Sequence, residues 1–548
     1  MDKKPYIKRL GALEKRQQDF ISFWSDISSY VTPYRGKFND DKTASGARKG
    51  EKILRDRAGL ALRTFSSGLM AGITSPSYPW FYLQPTDTAM NQFKPVKEWL
   101  FLVQELMREV FNSSNLYRCL PTLYKELGAY GTACMSITQS FKNVIRCHVP
   151  TIGTYLIANN DEYAVDVVYR KFQMTVAQLM EKHEREGWEV SDKIKNAFEK
   201  GNTEELHEII HCCEPNDKRI VDKNDIGNKA YRSLYFDKST KDEFLHSGGF
   251  DDFPYAVIRW ETVGEDEYGL ECPGMNALGD IRQLQSQIKR KAQGLDKIVD
   301  PPLIGPAGLV GKKINAIPGG FTAEEPGLPA QLRPLYEVRM PFGEIMNDIS
   351  QTEDIIARAF YEDMFLMLAQ TDRRQITARE VAERHEEKLI MLGPALVRLH
   401  DELLRPLIER TFGIMLSGGL LPPAPPELAG QELKVEFVSL LAQAQKSVGV
   451  LSVDNMVNTI SGLAQLDPKA LNKLNINEVI DTKAESLGVN PNIIRTNDEA
   501  NAISEAQQEA MAQQQQMAQI QEMAKTGAEV SNSNLPEMLN RAMGSLNQ

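Results

Sequence analysis

Hydrophobic positions recur at helical spacing over an unusually long stretch near the middle of the chain. From Ile376 to Leu416 the sequence reads ITAREVAERHEEKLIMLGPALVRLHDELLRPLIERTFGIML, and Leu389, Leu392, Leu396, Leu399 and Leu403 fall on one stripe. A continuous helix of that length would extend roughly 60 Å at about 1.5 Å per residue. Gly393–Pro394 and Arg405–Pro406 predict kinks, because proline removes a backbone donor and crowds the preceding turn. A rod of this length suits a ring of subunits around a channel better than one compact core.

The same spacing predicts a helix over 7–31, with Leu10, Leu13, Phe20, Trp24, Ile27 and Val31 on one face and Pro33 as its stop. Further helices are expected over 51–72, 94–112 and 118–130, separated by the Pro- and aromatic-rich connector 75–85. From 132 to 172 the period becomes two. In EYAVDVVYRKFQM, Val165, Val167 and Tyr169 alternate with Asp166, Val168 and Arg170, which reads as a strand. Thr175 then caps a short helix. Strands return over 205–262. The fold class is α+β.

Helical spacing resumes over 273–299 and 342–368. Between them, residues 300–341 hold eight prolines and six glycines, an irregular or short-stranded excursion. The polar break AQTDRRQ at 369–375 precedes the long helix. SGGLLPPAPPELAG at 417–430 is a linker, 432–498 a small, mostly helical region, and 500–525 is rich in Gln, Ala and Met.

Composition narrows the function. At 548 residues the chain exceeds what one core supports. No run of about 18 apolar residues marks a membrane span, and no apolar stretch behind the N-terminal lysines marks a secretory signal. Six scattered cysteines without a C-x-x-C predict reduced thiols rather than a disulfide framework. A net charge of −11 argues against tight gripping of DNA, which needs Lys and Arg to displace counterions. Read alone, the charge simply keeps the chain soluble, and it does not exclude a protein that surrounds a sliding duplex.

Catalytic motifs fail on inspection. HEEKL at 385–389 starts like a zinc-protease helix, but the second histidine position is Leu389. GPAGLVGKK at 305–313 has Pro306 where a phosphate loop needs glycine, and Lys313 where it needs Ser or Thr. FSSGLMAG at 65–72 is no nucleophile elbow. The acidic pairs Glu324–Glu325 and Asp251–Asp252 read as loop charges. No cofactor or metal is expected, and no enzymatic activity. If the chain takes part in moving DNA, the ATP must be hydrolysed by another subunit.

The order of elements and four segments carry a family resemblance. The segments are LRDRAGLALRTFSSGLMAGITSPSYPWFYL (54–83), DEYAVDVVYRKFQMTVAQL (161–179), YGLECPGMNALGDIRQLQ (268–285) and QITAREVAERHEEKLIMLGPALVRLHDELLRPLIER (375–410). The chain resembles the portal, or head-to-tail connector, proteins of tailed bacteriophages of the podovirus type. The resemblance covers roughly 1–420. Cys272 stands where a small residue such as glycine is expected.

The resemblance implies a portal fold. Residues 1–272 would be a mixed wing, 273–299 and 342–368 an antiparallel stem, 300–341 a clip, 369–375 a tunnel loop, 376–416 the long kinked wing helix, and 417–548 a crown and tail. It implies a ring of about twelve subunits at one capsid vertex. Double-stranded DNA would pass through it, and terminase large subunit, major capsid, scaffolding and tail adaptor proteins would bind it. Assembly would occur in the bacterial cytoplasm. Tunnel-loop residues Asp372, Arg373, Arg374 and Gln375 would touch DNA, or the two arginines would pair with acids of the wing. Arg282, Lys289, Arg290, Lys291 and Lys297 on the first stem helix would form a positive belt, or pair with Asp348, Glu353 or Asp354 of a neighbouring stem. Lys312, Lys313, Glu324 and Glu325 would serve clip docking. The alternatives are a catalytic packaging-motor subunit (ATPase or nuclease) and an internal scaffold or ejection protein.

Overall fold

The computed structural model describes residues 3–38, 49–77, 79–85, 93–220, 225–238, 244–301, 303–304, 333–334, 340–370, 393–428, 433–437, 456–463, 474–487, 493, 495 and 497–530. The chain divides into two compact units. The first comprises 1–84, 103–423 and 433–445; the second comprises 85–102, 424–432 and 446–548.

The first unit opens with α1 (Lys4–Tyr30), whose Leu10, Leu13, Trp24 and Ile27 are buried as their spacing requires. Helix α2 (Arg57–Ile73) begins six residues later than the pattern predicts. The reason is its cap: the Asp56 side chain accepts from Gly59 N at 3.1 Å, and an Ncap residue lies outside the helix. The connector 75–85 ends in a strand, β1 (Phe81–Pro85). Helices α3 (Lys94–Ser113) and α4 (Leu116–Tyr130) follow. Gly131 closes α4 in the left-handed region at φ 73°, so the chain can turn directly into β2 (Thr132–Ser140).

Strands β3 (Val144–His148) and β9 (Tyr255–Arg259) flank β2 in a three-stranded antiparallel sheet. A second sheet has the order β4 (Tyr155–Asn159), β5 (Val165–Thr175), β6 (Leu206–Pro215), β7 (Tyr231–Asp237), β8 (His246–Phe250), again antiparallel. Alternation decides its two faces. Val167, Tyr169, Ile210, Cys212 and Leu234 pack under Tyr6, Leu10 and Leu13 of α1. Ile209 and Met174 cluster instead with Leu179 of α5 (Val176–Glu186) and Ile194 of α6 (Asp192–Glu199). Thr175 caps α5 as expected, in a reciprocal capping box with Gln178. All six cysteines are free thiols, and five are buried.

Residues predicted as one helix over 273–299 form a single turn, α7 (Pro273–Asn276), and then α8 (Leu278–Val299). Of 300–341, only the pair β10 (Leu303–Ile304) and β11 (Arg333–Pro334) and the flanking residues are described. The helix predicted over 342–368 is interrupted. It forms α9 (Phe342–Ala359) and α10 (Glu362–Gln370), with Tyr361 left-handed at φ 55° between them. Tertiary packing overrides helical propensity here. Phe365 meets the Phe65 ring at 5.9 Å over Gly68, Tyr361 faces Trp260 at 6.2 Å, and Glu362 pairs with Arg57. Because α10 runs to Gln370, residues 369 and 370 of the predicted tunnel loop are helical, and 371–375 lie outside the described residues.

The described part of the long helix covers 393–417. Its anticipated irregularity near Pro406 takes the form of a π-helical turn, His400–Leu404, followed by an α-helix over Arg405–Ser417. Pro406 offers no N–H to the carbonyl four residues back, and Arg405 N bonds to His400 O, five residues back.

Part of the region predicted as mostly helical is a strand: β12 (Leu433–Phe437) pairs with β1. In the second unit, helices cover 456–463, Ile476–Leu487 and Asn497–Val530. The Gln-rich segment is therefore the 34-residue helix Asn497–Val530, whose Glu499 pairs with Lys94 at 3.3 Å.

Candidate functional site

The candidate site is the antiparallel pair α8–α9, because all five residues of the predicted belt lie on α8. Burial is confined to its root. Leu278, Ile281, Leu284 and Gln285 of α8 are buried, as are Ile349, Thr352, Ile356 and Ala357 of α9. From Ser286 to Val299, α8 has no buried residue.

The root is fastened to the body by polar contacts. Gln285 Oε1 accepts from the backbone N of Leu54 (2.7 Å) and Arg55 (3.0 Å), and its Nε2 donates to Arg55 O at 2.9 Å. Arg55 reaches Glu353 of α9 at 2.9 Å. Between the helices, Gln287 Nε2 donates to Asp348 (2.6 Å) and Thr352 (3.2 Å). Gly294 leaves room for Met340, whose Sδ lies 2.1 Å from where a Cβ would stand.

The predicted belt residues separate into two groups. Arg282 sits at the root, where its guanidinium pairs with Asp26 and lies 5.7 Å from the Tyr30 ring of the same chain. Lys291 is half-buried and donates to Met346 Sδ at 3.1 Å. Lys289, Arg290 and Lys297 are exposed, and none forms an ion pair among the described residues. Of the acids considered as partners, Asp348 and Glu353 are engaged within the chain, by Gln287 and Arg55, and Asp354 is exposed. Exposed apolar side chains accompany these cations: Leu295, Ile298, Val299, Phe342, Met346 and Ile355. Asp372, Arg373, Arg374 and Gln375 lie outside the described residues. So do Lys312, Lys313, Glu324 and Glu325, as well as HEEKL and GPAGLVGKK.

The long helix is held by contacts that sequence reasoning missed. Glu402 accepts from Arg259 three times, from the backbone N at 2.7 Å, from Nε at 3.0 Å and from Nη2 at 2.5 Å. The same guanidinium donates to Asn159 Oδ1 (3.2 Å) and Tyr163 O (2.8 Å). Arg410 enters the three-stranded sheet, donating to Ile137 O at 2.6 Å and Asp252 O at 2.8 Å. Glu126, fully buried, accepts from Arg35, Thr151 and Ile152 N. Desolvation outweighs these partners and pushes its carboxyl above the ordinary range. Cys272 is buried with its thiol directed at Ala129 O, 3.3 Å away, and burial pushes that thiol up to about 12. No local pattern announces these pairings, since Arg259 and Glu402 are 143 positions apart.

Among the described residues, no group of three or more His, Cys, Asp or Glu is placed to hold a metal ion, and no helix is long and apolar enough to cross a membrane. What they define is an α+β body bearing a helical hairpin that exposes cations and apolar groups along most of its length.

Residues 3–494 match the family model for the bacteriophage head to tail connecting protein, and the chain belongs to that family. It is 40% identical to the portal protein of Salmonella phage epsilon15 over 507 residues, covering 92% of this chain and 91% of that protein. It is 39% identical to the probable portal protein of Bordetella phage BPP-1 over 495 residues, covering 90% and 89%. Among solved structures, the neck of an empty GTA particle matches 69% of this chain and 80% of its own, at 11% identity and a TM-score of 0.32.

Proposed function

We propose that this head-to-tail connector is a closed ring of roughly twelve copies at one capsid vertex, with α8 and α9 of every copy lining the channel. Double-stranded DNA enters through it during packaging and leaves through it at ejection. The supporting observation is the α8–α9 hairpin: Lys289, Arg290 and Lys297 are exposed and without an acidic partner among the described residues, on a protein of net charge −11. Repeated by symmetry, they give a local positive lining within an acidic particle. Such a lining contacts phosphates without reading bases, which suits a duplex of any sequence in motion.

The tunnel-loop residues Asp372, Arg373, Arg374 and Gln375 add a second contact ring in this reading. The clip, with Lys312, Lys313, Glu324 and Glu325, receives the terminase large subunit and later the tail adaptor. Major capsid and scaffolding proteins contact the wing. The protein is a non-enzymatic conduit that needs no cofactor and no membrane, assembled in the bacterial cytoplasm and retained in the virion. The test is Lys289→Glu with Arg290→Glu in an in vitro packaging reaction. Rings of normal size should form, with DNA packaging reduced. Full packaging by rings of this variant would remove the hairpin from the DNA path.

A further inference from the structure

Two surface features of the first unit have opposite charge and sit at opposite ends of one sheet. The first is the tip of the β2–β3 hairpin. Phe141 there is 104% exposed, as open as a side chain can be. Lys142 and Arg146 beside it are exposed, and residues 132–148 contain no Asp or Glu. The turn is completed by Val144 at φ 63°, a conformation that a β-branched residue adopts only under strain. A monomer gains nothing from holding a phenyl ring in water.

The second feature surrounds the far end of β2, where Thr132 pairs with Arg259. Arg259 binds Tyr163 O and Asn159, and Asn159 Nδ2 donates to Asp266 O at 3.4 Å, which joins the β4–β5 turn to the loop after β9. Arg398 donates to Thr262 Oγ1 at 2.8 Å and brings Val397 alongside. Tyr163, Val263 and Val397 are all more than half exposed. Asp161, Glu162, Glu261 and Glu265 are exposed around them. Of the nearby cations, Arg16 is engaged by Glu267 and Arg259 by Glu402, while Arg398 donates to Thr262, which leaves the four exposed acids in excess.

Along β2 the two features lie roughly 30 Å apart, at about 3.3 Å per residue. They therefore cannot meet within one chain. A ring needs a heterologous interface, in which two different faces of each subunit are complementary. We propose that Phe141, flanked by Lys142 and Arg146, docks on the acid-rimmed apolar patch of Tyr163, Val263 and Val397 in the next copy. This rests on the ring reading and names one pair of faces that closes it.

The test uses the full-length protein and reads assembly by mass photometry and sedimentation. Because Phe141 is fully exposed, Phe141→Ser should leave the fold intact. It should raise the concentration at half-assembly by about tenfold or more. Lys142→Glu with Arg146→Glu should do the same, as should Glu162→Lys with Glu265→Lys. A chain carrying both charge swaps should recover assembly, which a general loss of stability would not allow. A Phe141→Cys, Val263→Cys chain should form an intermolecular disulfide ladder under mild oxidation, with neither single variant doing so. Rings that form at the wild-type concentration in all variants, without a ladder, would overturn the docking while leaving the ring intact. A wild-type chain that never forms rings would instead overturn the reading beneath it.

Discussion

Replacing Glu402 with alanine tests whether the long helix is locked to the sheet by one ion pair. The carboxylate neutralises a guanidinium whose side chain is 6% exposed, and it satisfies the Arg259 backbone N–H at 2.7 Å. Its removal strands both groups. Breaking one side of a buried pair costs about 3–5 kcal/mol. Arg259 keeps Asn159 and Tyr163 O as acceptors, so the lower end applies, about 3 kcal/mol. Native-state hydrogen exchange reads this directly, because the Arg259 amide is itself a donor in the pair. Exchange of the β9 amides should accelerate roughly a hundredfold at fixed pH. Replacing both partners by apolar residues, Arg259→Met with Glu402→Leu, should recover part of the loss, since no buried charge is then left uncompensated although the backbone N–H of residue 259 still lacks its acceptor. An acceleration below about tenfold in Glu402→Ala would refute the reasoning.

Three further outcomes follow from the same structure. His211 is buried between the Tyr255 hydroxyl (2.7 Å) and Ser233 Oγ (2.9 Å), and desolvation, helped by Arg170 and His246, lowers its pKa to about 3. With the folded value below the unfolded one, its contribution is complete above about pH 6.5 and is lost as pH falls toward 3. Urea midpoints should therefore fall less steeply between pH 6.5 and 4 in His211→Gln than in the wild type, and parallel curves would contradict this. Gly131→Ala should destabilise the first unit by about 2 kcal/mol or more, seen as a lower urea midpoint, because φ is +73° and the new Cβ would lie 2.6 Å from Gly269 O. Arg373→Ala with Arg374→Ala should assemble normally but impair DNA packaging or retention, and normal packaging would remove the tunnel-loop role.

The sequence shows elements that fold by local rules. The α1 stripe, the Thr175 cap and the β5 strand are each set by residues a few positions apart, and the structure has all three, although Val168 is buried as fully as Val167 and Tyr169 on either side of it. What escapes is decided at long range. The Tyr361 break has no proline or glycine to announce it and depends on Phe65, Gly68 and Trp260. Residues 433–437 become a strand because β1 lies beside them, more than 300 positions away in sequence. For the candidate site, the sequence identified the cations of α8 but not their states. Arg282 is paired with Asp26, 256 positions away, whereas Lys289, Arg290 and Lys297 meet no acid among the described residues. Arg410 and Arg259 bind backbone and side-chain groups of other segments, so their roles exist only in the folded chain.

The central claim is that copies of this chain close around an open channel lined by α8 and α9. Electron microscopy of the purified full-length protein, viewed down the assembly axis, tests it most directly. The account predicts a symmetric annulus with an unobstructed bore that admits a DNA duplex. A protein that remains monomeric at every concentration, or an assembly with density filling its axis, would contradict it.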